Sequence, residues 1–132
     1  MIVADLMNKN PATIQPGANL AQALEVMAAK KTRHLIVISE ADAVAGILSD
    51  RDLAMFYDPG TMTQQKWEQA TVESLMTANP ISIGSKAPLV EAAKLLLNSG
   101  FSALPIVDAG SLAGILTERD FVRYLSKTPI AG

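Results

Sequence analysis

Gly46-Ile47-Leu48-Ser49-Asp50-Arg51-Asp52-Leu53 and Gly114-Ile115-Leu116-Thr117-Glu118-Arg119-Asp120-Phe121 carry one pattern twice. Each reads as the apolar end of a strand, then a hydroxyl, then an Arg-Asp pair opening a helix. Outward from this pair the match continues. Val3-Ala4-Asp5-Leu6-Met7 aligns with Val72-Glu73-Ser74-Leu75-Met76, Asn10-Pro11 with Asn79-Pro80, and Leu35-Ile36-Val37-Ile38 with Leu104-Pro105-Ile106-Val107. One residue is lost in the turn before Gly114, and the register otherwise holds. The chain is an internal duplication.

Within the first copy, Thr13-Ile14 reads as a short strand closed by Pro16-Gly17. Asn19 is the N-cap of a helix, with Gln22 as its capping-box partner. Leu20, Ala23, Leu24, Met27 and Ala28 fall on one helical face, and Lys30-Lys31 sit where the helix dipole favours cations. Leu35–Ile38 is a buried strand, residues 39–43 a polar turn, and residues 44–48 the next strand. A helix then runs from about Ser49 to Tyr57, where Asp58-Pro59-Gly60 ends it. The second copy repeats this, with Pro88 at the first helical position. Its helix shows Leu89, Ala92, Ala93, Leu96 and Leu97 on one face, and the last helix runs from about Glu118 to Lys127. Each copy is therefore β-α-β-β-α. The predicted organisation is repeat 1 at 1–60, a polar connector at 61–71 with one or two helical turns, repeat 2 at 72–127, and a loose tail at 128–132. Trp67 in the connector reads as a packing anchor within the chain, with an interface contact as the alternative.

A unit this small buries too little surface to be secure alone. The expected fold is α+β, with two repeats packed sheet to sheet about a pseudo-twofold axis. Small ligands favour the concave junctions such an arrangement leaves.

Composition narrows the function. The 132 residues are 49% apolar, enough for a sizeable core, and the net charge of −2 argues against a nucleic-acid or anionic-membrane binder. With no cysteine and one histidine, disulfides, thiolate metal sites, cysteine nucleophiles and His-rich metal sites are excluded. No signal peptide is evident, and no apolar run approaches the roughly 20 residues of a membrane span. A cytoplasmic location is expected. Phosphate-binding Gly-Lys-Ser/Thr loops, nucleophile elbows and His-Glu-x-x-His pairs are absent, so no catalytic residue is assigned and the chain does not read as an enzyme.

The Val-x-x-Leu-Met segments, the Asn-Pro pairs, Leu104-Pro105-Ile106-Val107 and Gly114-Ile115-Leu116-Thr117-x-x-Asp120 resemble the CBS domain, here as a tandem pair (a Bateman module). The resemblance spans nearly the whole chain. It implies a regulatory module that binds adenosine-containing ligands in the clefts between repeats: AMP, ADP, ATP, S-adenosylmethionine or NAD(H). It also implies a flat homodimer and an effector protein that reads the ligand state in trans. The rival reading is a ligand-free dimerisation or protein-interaction module.

Ser49-x-x-Asp52 and Thr117-x-x-Asp120 have two compatible readings. A hydroxyl N-cap with an acid three residues on is a capping pattern. The resemblance adds a second role, in which Asp52 and Asp120 accept hydrogen bonds from ribose hydroxyls, while Ser49 and Thr117 meet phosphate. Arg51 and Arg119 are either solvated turn residues or phosphate ligands. Arg33 and His34 stand where some relatives carry a phosphate-facing basic pair. Their counterparts are Ser102 and Ala103, so the two clefts are expected to differ in charge. Thr13, Ile14 and Val37 match the strand lining the adenine side, as do Ser82, Ile83 and Ile106. The resemblance sets the first group against Thr117 and Asp120, and the second against Ser49 and Asp52.

Overall fold

The computed structural model describes residues 1–127; the predicted tail at 128–132 lies outside them. The fold is mixed α+β, and the chain divides into two compact units. One is contiguous, Pro11–Pro80; the other joins Met1–Asn10 to the chain from Ile81 onwards.

In the contiguous unit, β1 (Thr13–Ile14), β2 (His34–Ile38), β3 (Val44–Ser49) and β4 (Thr77–Ala78) form one sheet in that order. β1 runs parallel to β2, and the other pairings are antiparallel. Leu35, Val37 and Leu48 alternate with Ile36 and Ile47 along the strands, and all five are buried. Burial on both faces is why these runs read as continuously apolar. Helix α1 (Leu20–Lys30) starts at the expected capping box: Asn19 Oδ1 accepts from the Gln22 N–H at 2.8 Å, and Gln22 Oε1 from the Asn19 N–H at 2.9 Å. Its buried stripe is Leu20, Ala23 and Met27. Leu24 and Ala28, expected in that stripe, are exposed, because they lie farther round the helix, beside a surface groove. Helix α2 (Asp50–Phe56) follows β3 directly.

The connector folds as α3 (Gln64–Gln69), capped by Thr63. Trp67 stacks obliquely on Phe56 with ring centroids 5.2 Å apart, the intrachain anchor expected of it. Helix α4 (Val72–Leu75) then drives Val72 into the core formed by Leu20, Leu35, Leu48 and Leu53. At the end of α2 the Thr61 hydroxyl and the Gly60 N–H donate to Asp58 at 2.8 and 3.2 Å, holding its carboxyl below the usual range.

The other unit mirrors this plan with different pieces. α5 (Leu89–Ser99) lies on β5 (Ala103–Asp108) and β6 (Ser111–Thr117), followed by α6 (Glu118–Lys127). Val3 is fully buried among Ala92, Leu96, Leu104, Ile106 and Leu116. Asn8 bridges Ile115 on β6, the equivalent of Thr77 pairing with Ile47. The opening segment of each repeat is thus built into the unit holding the other repeat's hairpin.

Three expectations need correction in this unit. Ser82-Ile83 forms a single parallel bridge, Ile83 to Ile106, instead of a strand. Two residues on, Ser85 turns aside to Asp108, its N–H donating to Oδ1 at 2.9 Å and its hydroxyl to Oδ2 at 2.5 Å. Pro88 is the N-cap and not the first helical residue, and the Leu89 N–H donates to the Met1 carbonyl at 2.9 Å. Leu97 is exposed, and Leu95 packs on the core in its place.

The Ser85 hydroxyl and N–H hold the Asp108 carboxyl below its usual range. A carboxylate depressed in the folded state adds stability above its unfolded pKa of about 4, which is lost as pH falls through the folded value. Ser85→Ala is therefore expected to return Asp108 towards the ordinary range in a carboxyl-carbon NMR titration. The same variant should flatten the fall in stability below about pH 4.

Candidate functional site

Strand register fixes what surrounds each repeated acid. In the contiguous unit His34 lies opposite Ser49, and in the other unit Ala103 lies opposite Thr117. Each hydroxyl residue ends its strand and caps the next helix. The Asp52 N–H donates to Ser49 Oγ at 3.2 Å, while Asp52 Oδ2 accepts from the Ser49 N–H at 2.8 Å and its hydroxyl at 3.0 Å. The corresponding distances for Thr117 and Asp120 are 3.3, 2.8 and 3.1 Å. Both capping boxes are complete, and each commits Oδ2 only.

Oδ1 distinguishes the halves. For Asp52 it has no hydrogen-bond partner among the described residues. For Asp120 it accepts from Arg123 Nη1 at 3.4 Å; the Asp120 side chain is 14% exposed and that of Arg123 56%. Sequence reading passed over Arg123, although its i, i+3 spacing from Asp120 was a usable signal.

The basic residues divide as well. Arg33 approaches a neighbour that sequence reading did not weigh: its Nε lies 4.0 Å from Asp50 Oδ2, both side chains exposed. Its carbonyl accepts from the Asp50 N–H at 2.9 Å, which ties the loop before β2 to the start of α2. Ser102 and Glu118 repeat that tie at 3.0 Å. Arg51 and Arg119 are exposed, and His34 is half-buried. A groove of about 510 Å³ in the contiguous unit is lined by Leu24, Ala28, Leu53, Tyr57 and Trp67, with Arg33 and Asp50 among its walls.

On the adenine side, Thr13 and Ile14 pair with Ile36 and Val37, which brings three of the expected residues together on adjacent strands. Ile83 and Ile106 meet likewise, beside an exposed Ser82. Val37 and Ile106 are fully buried in the two cores, so their side chains serve packing and only their backbone is left to face a ligand. Among the described residues no three His, Asp or Glu side chains gather in a way that could hold a metal ion. No described helix is long and apolar enough to cross a membrane.

The CBS domain pattern matches the chain twice, over residues 3–58 and 72–127. The chain belongs to the CBS domain family. A CBS domain-containing protein of Dictyostelium discoideum is 32% identical over 96% of this chain and 92% of its own length. The crystal structure of CBSX2, a chloroplastic protein of Arabidopsis thaliana, in complex with AMP superposes with a TM-score of 0.82, at 33% identity and 96% coverage of both chains. The CBS domain pair of protein MJ0100, solved with 5'-methylthioadenosine and S-adenosyl-L-methionine, superposes at 0.83 with 25% identity, again covering 96% of each. Enzymes also carry the match, but this CBS pair spans only 24% of the homoserine O-acetyltransferase of Methanococcoides burtonii. It spans 22% of the inosine-5'-monophosphate dehydrogenase of Aquifex aeolicus.

Proposed function

We propose that this CBS pair is a regulatory sensor of adenosine-containing ligands, with no catalytic role of its own. The observation that carries the reading is the likeness to CBSX2, solved with AMP, at 33% identity over 96% of both chains. In this reading Asp52 and Asp120 hold ribose, Ser49, Thr117, Arg33, His34, Arg51 and Arg119 meet phosphate, and the backbone beside Thr13 and Ser82 faces adenine. Two ligand sites follow, one combining Thr13, Ile14 and Val37 with Thr117 and Asp120. The other combines Ser82, Ile83 and Ile106 with Ser49 and Asp52. A ligand acts as a signal only if it binds one arrangement of the module better than another, and an effector protein in trans reads the difference.

A second copy of the chain is the expected partner. Exposed apolar side chains recur at equivalent places, Ala28, Ala54 and Tyr57 in one repeat and Leu97, Val122 and Leu125 in the other. The latter three are 83%, 65% and 64% exposed. A patch present in both repeats suits the self-complementary interface of a symmetric dimer.

The test is calorimetry with AMP, ADP, ATP, S-adenosylmethionine and NADH, with light scattering on the same samples. Saturable binding of one of them at micromolar to sub-millimolar affinity supports the sensor, and the stoichiometry counts the working sites. A dimer that takes up none of the five overturns it in favour of a ligand-free interaction module, the reading those exposed side chains would then support.

A further inference from the structure

Resting on the proposed ribose role of Asp52 and Asp120, we infer that Arg123 makes the two half-sites unequal, weakening the Asp120 half-site for an adenosine-type ligand relative to the Asp52 half-site. The duplication supplies an internal comparison. Both carboxylates spend Oδ2 on their own helix start with nearly the same distances, so the capping boxes do not separate them. Only Oδ1 differs. At Asp120 it is taken by the Arg123 guanidinium at 3.4 Å, and the position equivalent to Arg123 in the first repeat is Met55, whose thioether has no hydrogen to donate.

A ribose hydroxyl approaching Asp52 meets an Oδ1 with no partner among the described residues and forms a charge-assisted hydrogen bond. The same hydroxyl approaching Asp120 meets an oxygen whose charge is partly neutralised and whose lone pair is engaged. The guanidinium must move aside or share. Because Arg123 is half exposed, displacing it is cheap, so the pair weakens the Asp120 half-site and does not close it. The local charge balance shows that this is a matter of placement. Each acid motif has one extra arginine near it, but Arg33 approaches Asp50 in the first repeat, whereas Arg123 sits on the ribose acid itself in the second. The expected result is graded occupancy, with the Asp52 half-site filling first as ligand rises.

The experiment isolates each half-site with AMP as the probe. Asp120→Asn leaves the Asp52 half-site to be titrated, and Asp52→Asn leaves the Asp120 half-site. In the Asp52→Asn background, adding Arg123→Gln is expected to tighten AMP about two- to fivefold, the range of an exposed ion pair. In the Asp120→Asn background the same change should leave AMP affinity where it was. Arg123→Met, which installs the residue found at position 55, should reproduce the result, and circular dichroism checks that both variants fold. Unchanged or weaker affinity in the Asp52→Asn background overturns the inference about Arg123, as does equal tightening in both backgrounds. A wild-type protein that takes up no AMP at all overturns the sensor reading, and this inference with it.

Discussion

Gly114→Ala is expected to lower the melting temperature by roughly 10 °C, an effect of about 2–3 kcal/mol spread over a chain of this size. A Cβ at Gly114 would lie 2.6 Å from the Asn8 carbonyl oxygen and 3.0 Å from Met7 Sδ. The thioether can swing away. The carbonyl cannot, because it accepts the Ile115 N–H at 3.0 Å and is part of the bridge that holds Met1–Asn10 to β6. Gly46→Ala should behave alike, since its Cβ would lie 2.7 Å from the Thr77 carbonyl oxygen on β4. Gly17, with nothing within 4 Å of its would-be Cβ, is the control. Thermal unfolding followed by circular dichroism reads all three, and a Gly114→Ala melt matching that of Gly17→Ala would remove the close-approach explanation for the repeated glycine.

Replacing both acids, Asp52→Ala with Asp120→Ala, is expected to weaken nucleotide binding by at least about 100-fold. Hydrogen bonds to a charged group are worth about 1.5–3 kcal/mol each, and a ribose offers two hydroxyls. Each substitution also removes half of a capping box, at a cost of about 1 kcal/mol. Ser49→Ala removes the acceptor for the Asp52 N–H and keeps the carboxylate, so its melting temperature measures the cost of a lost cap. A double variant that melts no lower than two lost caps explain, yet binds no nucleotide, assigns the affinity loss to the carboxylates. Full affinity in the double variant would strike both acids from the ligand site.

Much of the fold was legible because the signals are local and occur twice. The Asn19–Gln22 box, the apolar runs at Leu35 and Leu104, and the hydroxyl-to-acid spacing are each contained within a few residues. The bridges of Asn8 and of Thr77–Ala78 escaped, because segments of one or two residues carry no periodicity. Leu24 and Leu97 were misplaced because helical spacing defines a stripe and does not tell how wide the buried part is. The Ser85–Asp108 clamp joins positions 23 apart in sequence and has no motif. Around the two helix starts, the acids, the hydroxyls, Arg33, Arg51 and Arg119 were legible as residue types, and Arg123 was not. The commitment of Oδ2 and the different fates of Oδ1 depend on side-chain placement, which spacing alone does not specify.

The crossing-over of the opening segments has a consequence for how the chain is made. Met1–Asn10 leaves the ribosome before the rest of its own unit, and Asn8 finds its partner only after Ile115 has emerged. The contiguous stretch Pro11–Pro80 can assemble while the rest is still being translated, leaving a short arm, with Val3 unburied, waiting beside it. Long-range closure of this kind is slow, and every step it waits for is one in which the arm stays accessible. Docking of Met1–Asn10 therefore has to await the second hairpin, and protection of this segment from proteolysis during translation is expected only once Ile115 has emerged.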